Sequence, residues 1–308
     1  MKTVTKPSAA QASLHRATAL AALAASLGGA CAHRGGDQPQ GKENHMQMAA
    51  DVKGQGPLLL LVGGGLTGWL SWVPHQERLA GTRRVARVQL LSVQYGLEGR
   101  RLPDGYSIEM ESRALGGTVE ALSGGSAVDL VAWSLGGLVA LDFALNHPER
   151  IRTLTLIEPP AVWVLLASGQ LDEASRREAE AMRGLFDQMV EDVTEAQLAT
   201  FIRSAGLCPP GKSPEQLPQW PLWVQHRRSL HNGRAVFEHR DRVERLRAFN
   251  RPVLLTKGTG SAHLLHRIVD ALAATLPRAQ VVELPGGHAP QLLAIDRFLD
   301  ILATFQAR

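Results

Sequence analysis

The 308-residue sequence predicts an α/β fold in which helices cover both faces of a mainly parallel sheet and one all-helical segment is inserted. Short apolar runs alternate with helical patterns at both ends of the chain, and parallel strands joined by helices produce such an alternation. The runs are continuously apolar, as in strands that are buried on both faces. Between them, about ninety residues carry only helical patterns, which is too long for a connection and indicates a subdomain.

Six apolar runs are predicted to be the parallel strands. The first is Leu-Leu-Leu-Leu-Val, which three glycines end at residues 63–65. The fourth is closed by Glu-Pro-Pro at residues 158–160, because proline cannot continue a central strand. The six runs are 58–62, 85–93, 127–133, 151–157, 252–257 and 280–284. With at most one short strand before residue 57, we expect a sheet of six or seven strands.

Five helical patterns connect or follow these strands. The third is followed by His147 and Pro148, and the residue before a proline disfavours the helical conformation. The five segments are 72–80, 107–122, 135–146, 262–276 and 291–305. Their places in the chain predict crossover helices between parallel strands.

The interval between the fourth and fifth strands breaks the alternation. Its helical patterns cover 171–190, 194–205 and 216–249, and the apolar run 161–166 follows two prolines, a usual helix start. We therefore assign residues 57–158 and 250–308 to the α/β core. Residues 159–249 are predicted to form a helical cap over one end of the sheet.

Residues 1–32 differ from the rest of the chain. They hold a basic start, an Ala/Leu-rich stretch and small residues at the end, which is the layout of a secretory signal peptide. Plain cleavage is favoured, while an imperfect lipobox at 27–31 keeps a lipid anchor on Cys31 open. We therefore expect export to the periplasm or the medium. Translation from Met46 or Met48 would instead give a cytoplasmic protein.

The segment 33–56 is rich in Gly, Gln and Lys and is predicted to be a linker. After residue 33, no apolar run approaches the roughly 20 residues that a transmembrane helix needs. We therefore expect no stable membrane span.

The net charge of +4, from 33 Lys and Arg against 29 Asp and Glu, suits an anionic partner such as nucleic acid. Without residues 1–32 the chain loses Lys2, Lys6 and Arg16 and no acidic residue, which leaves 30 basic against 29 acidic side chains. We therefore expect no nucleic-acid partner. Two Cys residues are too few for a disulfide scaffold or a Cys-rich zinc site.

Two glycine-rich motifs match nucleotide-binding patterns, but their surroundings do not. Gly63, Gly65 and Gly68 fit the dinucleotide fingerprint, yet the next predicted strand ends without the carboxylate that binds the ribose. Residues 206–213 have the spelling of a P-loop. This copy holds two prolines, which lack the backbone N–H that cradles phosphate, so we expect a chance match.

Residues 132–137 (Ala-Trp-Ser-Leu-Gly-Gly) lie between a predicted strand and a predicted helix, as a G-x-S-x-G nucleophile elbow does. The sharp turn brings neighbouring backbones together, so the positions two before and two after Ser134 must be small, as Ala132 and Gly136 are. The following helix directs its first N–H groups at the Ser134 oxygen. The alternative is a serine that merely caps the helix.

A nucleophilic serine needs a base and an acid that orients the base. His288 lies in a Gly-Gly-His-Ala-Pro loop after the last strand, at the sheet edge where the elbow also lies. The loop after strand 252–257, where the acid usually lies, holds no carboxylate. Glu158 ends the fourth strand at the same edge and keeps the chain order Ser, acid, His. We expect Glu158 to be the acid, with Asp270 and Glu283 as alternatives.

With these motifs the chain resembles the α/β-hydrolase superfamily over residues 57–308, as a serine-nucleophile member with a helical cap. The resemblance implies an oxyanion hole made by the backbone N–H of Leu135 together with that of Gly65 or Leu66. The Gly-Gly-Gly-Leu loop at 63–66 departs from the His-Gly that is usual in such enzymes.

We therefore expect a serine hydrolase that acts on a small ester, lactone or thioester through a Ser-His-Glu triad and an acyl-enzyme. Neither a metal nor an organic cofactor is required. Trp69, Trp133 and Trp223 lie near the elbow, near the oxyanion loop or in the cap, and are candidates for a pocket that takes an apolar part of the substrate. Carbon–carbon bond hydrolysis, acyl transfer and ligand binding without catalysis stay open as alternatives, because the fold does not fix the function.

Overall fold

Seven strands form one sheet. The computed structural model describes residues 46–190 and 192–307. The strands are β1 Ala50–Lys53, β2 Leu58–Val62, β3 Arg84–Val88, β4 Val128–Trp133, β5 Ile151–Ile157, β6 Val253–Gly258 and β7 Ala279–Leu284. Their order is β1-β3-β2-β4-β5-β6-β7, with β1 antiparallel to β3 and the five other pairings parallel. The predicted fold class, a mainly parallel α/β sheet, is confirmed.

Helices cover both faces of the sheet. The α-helices are α1 Val73–Leu79, α2 Leu91–Leu97, α3 Ile108–Ser123, α4 Leu135–Asn146, α5 Val162–Ala167, α6 Glu173–Asp187, α7 Glu195–Ser204, α8 Trp220–His226, α9 Arg234–Glu238, α10 Val243–Ala248, α11 His263–Thr275, α12 Pro290–Leu293 and α13 Ile295–Gln306. Short 3₁₀ helices occur at Trp69–Trp72, Pro148–Arg150, Pro214–Gln216 and Arg227–Asn232. In the described part of the chain, no helix combines the length and the apolar character that crossing a bilayer requires. The predicted signal peptide at 1–32, with Cys31, and the start of the linker lie outside the described residues.

The predicted strand 85–93 is wrong in its second half. The strand ends at Val88, and residues 91–97 form α2 instead. The carboxylate of Glu111 on α3 accepts the backbone N–H groups of Leu91 and Ser92, which fixes the start of this helix. Every apolar residue from Val85 to Val93 is buried, and an apolar run alone does not distinguish a strand from a buried helix.

The predicted closing helix 291–305 is two helices. The chain leaves the helical conformation at Ala294 (φ −112°, ψ 49°), between α12 and α13. Residue 294 is an alanine, and neither neighbour is a proline or a glycine, so the sequence gives no sign of the break.

The residues between β5 and β6, called the insertion here (159–249), form α5 to α10 and no strand among those described. Asp172 caps α6, and Thr194 and Gln197 form a capping box on α7. The predicted helical stretch 216–249 is broken into short pieces. The insertion has an apolar cluster of its own, and Leu66 is the one member described that comes from outside the insertion.

The parallel register brings the carboxyl ends of four strands to one edge of the sheet. Ala132 on β4 pairs with Val62, at the end of β2. On the other side, Ile157 of β5 pairs with Trp133 of β4 and with Thr256 of β6. The loops that start at residues 63, 134, 158 and 259 therefore leave the sheet side by side, where parallel α/β sheets hold their sites.

Candidate active site

Ser134 lies at a sharp turn between β4 and α4. Its backbone has φ 54° and ψ −127°, which is rare for a residue with a side chain. Among the described residues, only Ser134 and Glu158 combine a side chain with a positive φ. The Ser134 side chain forms no cap hydrogen bond to the helix. Its hydroxyl instead lies 2.8 Å from Nε2 of His288, so the alternative of a helix-capping serine does not hold.

Small residues make this turn possible. A Cβ on Gly136 would overlap the carbonyl oxygen of Gly63 and crowd the side chain of Val62. Gly64 lies against Trp133 and Ser134, with space for no more than a tight Cβ. The loop after β2 and the turn after β4 thus pack backbone against backbone, as the sequence pattern required.

Glu158 and His288 complete a chain of hydrogen bonds with Ser134. Nδ1 of His288 lies 2.7 Å from Oε2 of Glu158, and both side chains are buried. An ionised carboxylate can only accept, so Nδ1 carries the proton and Nε2 presents its lone pair to the Ser134 hydroxyl. This is the tautomer that a general base needs.

The carboxylate of Glu158 is held from a second side. Its Oε1 accepts the backbone N–H of Gly258 at 2.7 Å. A Cβ on Gly258 would overlap the carbonyl oxygens of Gly286 and Gly287, so the loop that carries His288 can lie there only because residue 258 is a glycine. The position where the sequence lacked the usual carboxylate thus supplies a backbone donor to Glu158.

The two alternative acids lie away from His288. Asp270 pairs with the ammonium of Lys257 at 2.8 Å and is about half exposed. Glu283 is exposed on the edge strand β7. Neither contacts the imidazole, so of the three carboxylates considered only Glu158 does.

Two of the three residues expected to supply oxyanion-hole N–H groups line the cavity beside Ser134. Leu135 is the first residue of α4, where helix geometry leaves N–H groups without an intrahelical acceptor. Gly65 and Leu135 line the same cavity as Ser134 and His288, whereas Leu66 turns its side chain into the apolar cluster of the insertion. Burial lowers the pKa of His226, whose ring forms a hydrogen bond with the backbone of Leu66.

A cavity of about 650 Å³ opens above Ser134 and His288. This volume lies within the roughly 300–1,000 Å³ of small-molecule sites. The cavity wall is mostly apolar. Most of it comes from the insertion, including Val162, Met182, Phe186, Phe201 and Phe237, and Leu265 of α11 adds to it. Three charged side chains reach the wall: Glu178, Arg203 and Lys212. The loop with the P-loop spelling follows helix α7 rather than a strand, and it also lies on this wall.

None of the three predicted pocket tryptophans lines the cavity. Trp223 is buried in the insertion's own cluster, and Trp69 lies beneath the guanidinium of Arg87, 5.9 Å from the ring centroid. Trp133 is buried below the site, where its indole N–H donates to the backbone carbonyl of His288 at 2.6 Å. Trp133 thus packs into the core, Trp223 into the insertion and Trp69 against Arg87, and none of the three faces the cavity.

One group of described residues could offer three metal-ligand atoms. Glu109, Asp142 and His239 bring one such atom each within 4.8 Å of one another. His239, however, uses opposite ring nitrogens toward the two carboxylates, with Nδ1 2.8 Å from Glu109 and Nε2 3.7 Å from Asp142. The ring therefore lies between the two acids, hydrogen-bonded to Glu109 and only near Asp142, and none of the three residues lines the cavity.

The family model described as the alpha/beta hydrolase fold matches residues 57–294. This chain belongs to the α/β-hydrolase family. The match covers the first core segment, the whole insertion and the second core segment as far as residue 294, and the prediction of an α/β-fold hydrolase is confirmed.

Two curated relatives differ in how much of this α/β-hydrolase they match. The pimeloyl-[acyl-carrier protein] methyl ester esterase of Xanthomonas campestris pv. campestris is 28% identical over 269 residues, which cover 84% of this chain and 99% of the esterase. The 2-hydroxymuconate semialdehyde hydrolase of a Pseudomonas species is 33% identical over 115 residues, 37% of this chain and 40% of that hydrolase. The chain thus matches about two-fifths of the length of this second relative.

Solved structures share the fold of this α/β-hydrolase. An esterase from Exiguobacterium antarcticum superposes with a TM-score of 0.67 at 18% identity, covering 85% of this chain and 96% of that one. A thermophilic esterase from Thermogutta terrifontis gives 0.64 at 22% identity, covering 84% and 92%. At these identities the likeness concerns the fold alone.

Proposed function

We propose that this α/β-hydrolase cleaves small carboxylic esters through a covalent acyl-enzyme on Ser134. The observation that carries the proposal is the buried hydrogen-bond chain from Glu158 through His288 to Ser134, which ends at an apolar cavity of about 650 Å³. The full-length similarity to a methyl ester esterase supports the same reaction class.

The proposed reaction follows from which of the three side chains carries the proton at each step. As the Ser134 oxygen attacks the acyl carbon, its proton moves to Nε2 of His288, and the resulting imidazolium is stabilised by the carboxylate of Glu158. The bond to the leaving alcohol breaks, and the alcohol takes the proton from His288. Water then attacks the acyl-enzyme, gives its proton to His288 and releases the acid, with the proton returning to Ser134. The N–H groups of Leu135 and of Gly65 or Leu66 would stabilise the oxyanion in both steps.

The cavity defines the expected substrate as an ester with a compact apolar part. An apolar wall favours substrates whose acid or alcohol part is a hydrocarbon group, because burying such a group releases water. A charged group without a partner would lose its hydration there. Lactones and thioesters present the same carbonyl chemistry to Ser134. A panel of p-nitrophenyl esters, lactones and thioesters is therefore the first screen.

Labelling and substitution test the proposal together. A fluorophosphonate should modify Ser134, identified by mass spectrometry of the digest, and Ser134→Ala should abolish both labelling and ester hydrolysis. Ser204 and Ser261 also line the cavity, so Ser204→Ala and Ser261→Ala are matched controls that should keep both. Hydrolysis that survives in Ser134→Ala would remove the proposed nucleophile. Folded wild-type protein that resists labelling would favour a non-catalytic ligand-binding role.

A carbon–carbon bond hydrolase is the second candidate. Two relatives of about 33% identity are named for hydrolysing a muconate semialdehyde and a 2-hydroxy-6-oxo-2,4-heptadienoate. The latter compound holds no ester, so its hydrolysis must break a carbon–carbon bond. The assay measures the loss of absorbance of a conjugated dienol-ketone acid. Turnover of this acid, together with no hydrolysis of any ester in the panel, would favour this candidate. The same two assays with an added alcohol as acceptor would reveal acyl transfer.

A further inference from the structure

His288 lies on a loop with little stiffness of its own. Gly286 and Gly287 precede it, and Gly286 adopts φ +119°, a conformation that suits glycine. A base that must stay within hydrogen-bond reach of Ser134 therefore needs to be held by contacts from outside the loop.

Both backbone polar groups of His288 have such contacts. Its N–H donates to the carbonyl oxygen of Gly206 in the insertion at 3.1 Å. Its carbonyl accepts the indole N–H of Trp133 at 2.6 Å, and Trp133 is 94% buried. The insertion thus holds one side of the residue, and the core strand β4 holds the other.

Trp133 is well suited to this task because of its place in the chain. It is the last residue of β4 and directly precedes Ser134, so its hydrogen bond ties the strand that carries the nucleophile to the loop that carries the base. Its ring packs in a buried cluster with Leu61, Val131 and Ile157, which fixes the direction of the N–H. The ring also lies 5.6 Å from the imidazole, centroid to centroid.

We propose that Trp133 is a positioning residue that sets the distance between His288 and Ser134 through its hydrogen bond to the His288 carbonyl. This inference rests on the proposed function of the two residues. Proton transfer depends steeply on geometry, and a displacement of about 1 Å can lower the rate roughly a hundredfold. Trp133 does not line the cavity, so substrate binding should be indifferent to its hydrogen bond.

The test is Trp133→Phe, with Trp72→Phe as matched control. Trp72 belongs to the same buried cluster, and its indole nitrogen has no hydrogen-bond partner among the described residues. Both changes remove a similar ring volume, but only the first removes a hydrogen bond to the His288 loop. Trp133→Phe should lower kcat and the rate of fluorophosphonate labelling by about tenfold to a hundredfold with KM nearly unchanged. Trp72→Phe should lower the melting temperature and leave kcat within about twofold at temperatures where it is folded.

A second substitution guards against a fold that does not tolerate Phe at position 133. Incorporation of β-(3-benzothienyl)alanine at residue 133 replaces the indole N–H by sulfur and keeps the ring shape. The same loss of kcat in this variant supports the proposal. Wild-type kcat in this variant, or equal kcat in Trp133→Phe and Trp72→Phe, would overturn it. These outcomes differ from failure of the proposed function, in which the wild-type protein itself would hydrolyse no ester and take no label.

Discussion

Glu158 and Gly258 form a hydrogen bond between the ends of two neighbouring strands, with the N–H of Gly258 donating to Oε1 of Glu158 at 2.7 Å. The other carboxylate oxygen faces His288. Because both oxygens have partners, the orientation of the carboxylate is fixed before any substrate binds. Every substitution of Gly258 other than proline keeps the backbone N–H, so the orientation of the acid depends mainly on the relative positions of β5 and β6.

Glu158→Gln should lower kcat for ester hydrolysis by roughly 10³- to 10⁴-fold while keeping the fold. The amide oxygen can still accept the N–H of Gly258, which turns the amide NH₂ toward Nδ1 of His288. The imidazole then prefers the tautomer with its proton on Nε2 and cannot take the Ser134 proton. Steady-state rates and circular dichroism check the two halves of this expectation. Asp270→Asn is the control and should leave kcat unchanged. A silent Glu158→Gln together with an inactive Asp270→Asn would reassign the acid.

Gly136→Ala should destabilise the protein by about 1–3 kcal/mol, the usual range for overpacking. The added Cβ would overlap the carbonyl oxygen of Gly63 and force apart the elbow and the loop after β2. Since this loop holds Gly65, ester hydrolysis should fall as well. Gly184→Ala is the matched control, because Gly184 lies in helix α6 with open space where the Cβ would be placed. Urea denaturation of both variants gives the comparison, and equal free energies of unfolding would contradict the packing argument.

Stability should fall as the pH decreases from about 6.5 toward 4, in part because of His75. Burial lowers the pKa of His75 to about 4 in the folded protein, against 6.5 for the unperturbed side chain. Between these values the unfolded chain binds more protons than the folded one, so acid favours unfolding, by at most roughly 3 kcal/mol from this residue. Burial lowers the pKa of His226 and His231 as well, which adds to the effect with the same sign.

His75→Gln should flatten this pH dependence, because a neutral amide can still donate to the Gln291 carbonyl that the His75 ring faces at 3.2 Å. His147→Gln, at an exposed site, should leave it unchanged. The measurement is the free energy of unfolding in urea at pH 7.5 and pH 5. A variant whose loss between the two pH values equals that of the wild type would show that His75 does not contribute.

Val162→Phe should reduce kcat/KM for long-chain p-nitrophenyl esters more than for the acetate. Val162 is buried and lines the cavity with Ser134, so a larger side chain takes volume from the substrate. Val190→Phe, at a residue that is 61% exposed and outside the cavity wall, is the control. An unchanged chain-length profile in Val162→Phe would mean that the acyl chain lies elsewhere.

The hydrogen-bond chain of the site could be predicted from the sequence because its three members follow strand ends. A parallel sheet brings the carboxyl ends of its strands to one edge, so Ser134, Glu158 and His288 are brought close by topology alone. Glu158 directly follows a strand, whereas Asp270 lies on helix α11, so the same argument favours Glu158 as the acid. The structure adds the direct contact of Glu158 with the imidazole.

The wall of the cavity could not be predicted in this way. Most of its residues belong to helices and loops of the insertion, and the face that each helix turns toward Ser134 depends on tertiary packing. Proximity in sequence favours Trp69 and Trp133 as pocket residues, and a place in the cap favours Trp223, yet none of the three lines the cavity. The two prolines of loop 206–213 argue against a P-loop, but nothing in its sequence indicates that the Gly206 carbonyl accepts the backbone N–H of His288.

Leu66 links the loop after β2 to the apolar cluster of the insertion, and this has a consequence for protein engineering. One way to change substrate specificity is to replace the segment that covers the site by the corresponding segment of a homologue. Here a transplanted segment 159–249 would also have to accommodate Leu66, accept the backbone N–H of residue 288 with a carbonyl like that of Gly206, and supply the substrate wall. Chimeras should therefore be designed with residues 63–68 and 286–290 taken from the same parent as the insertion.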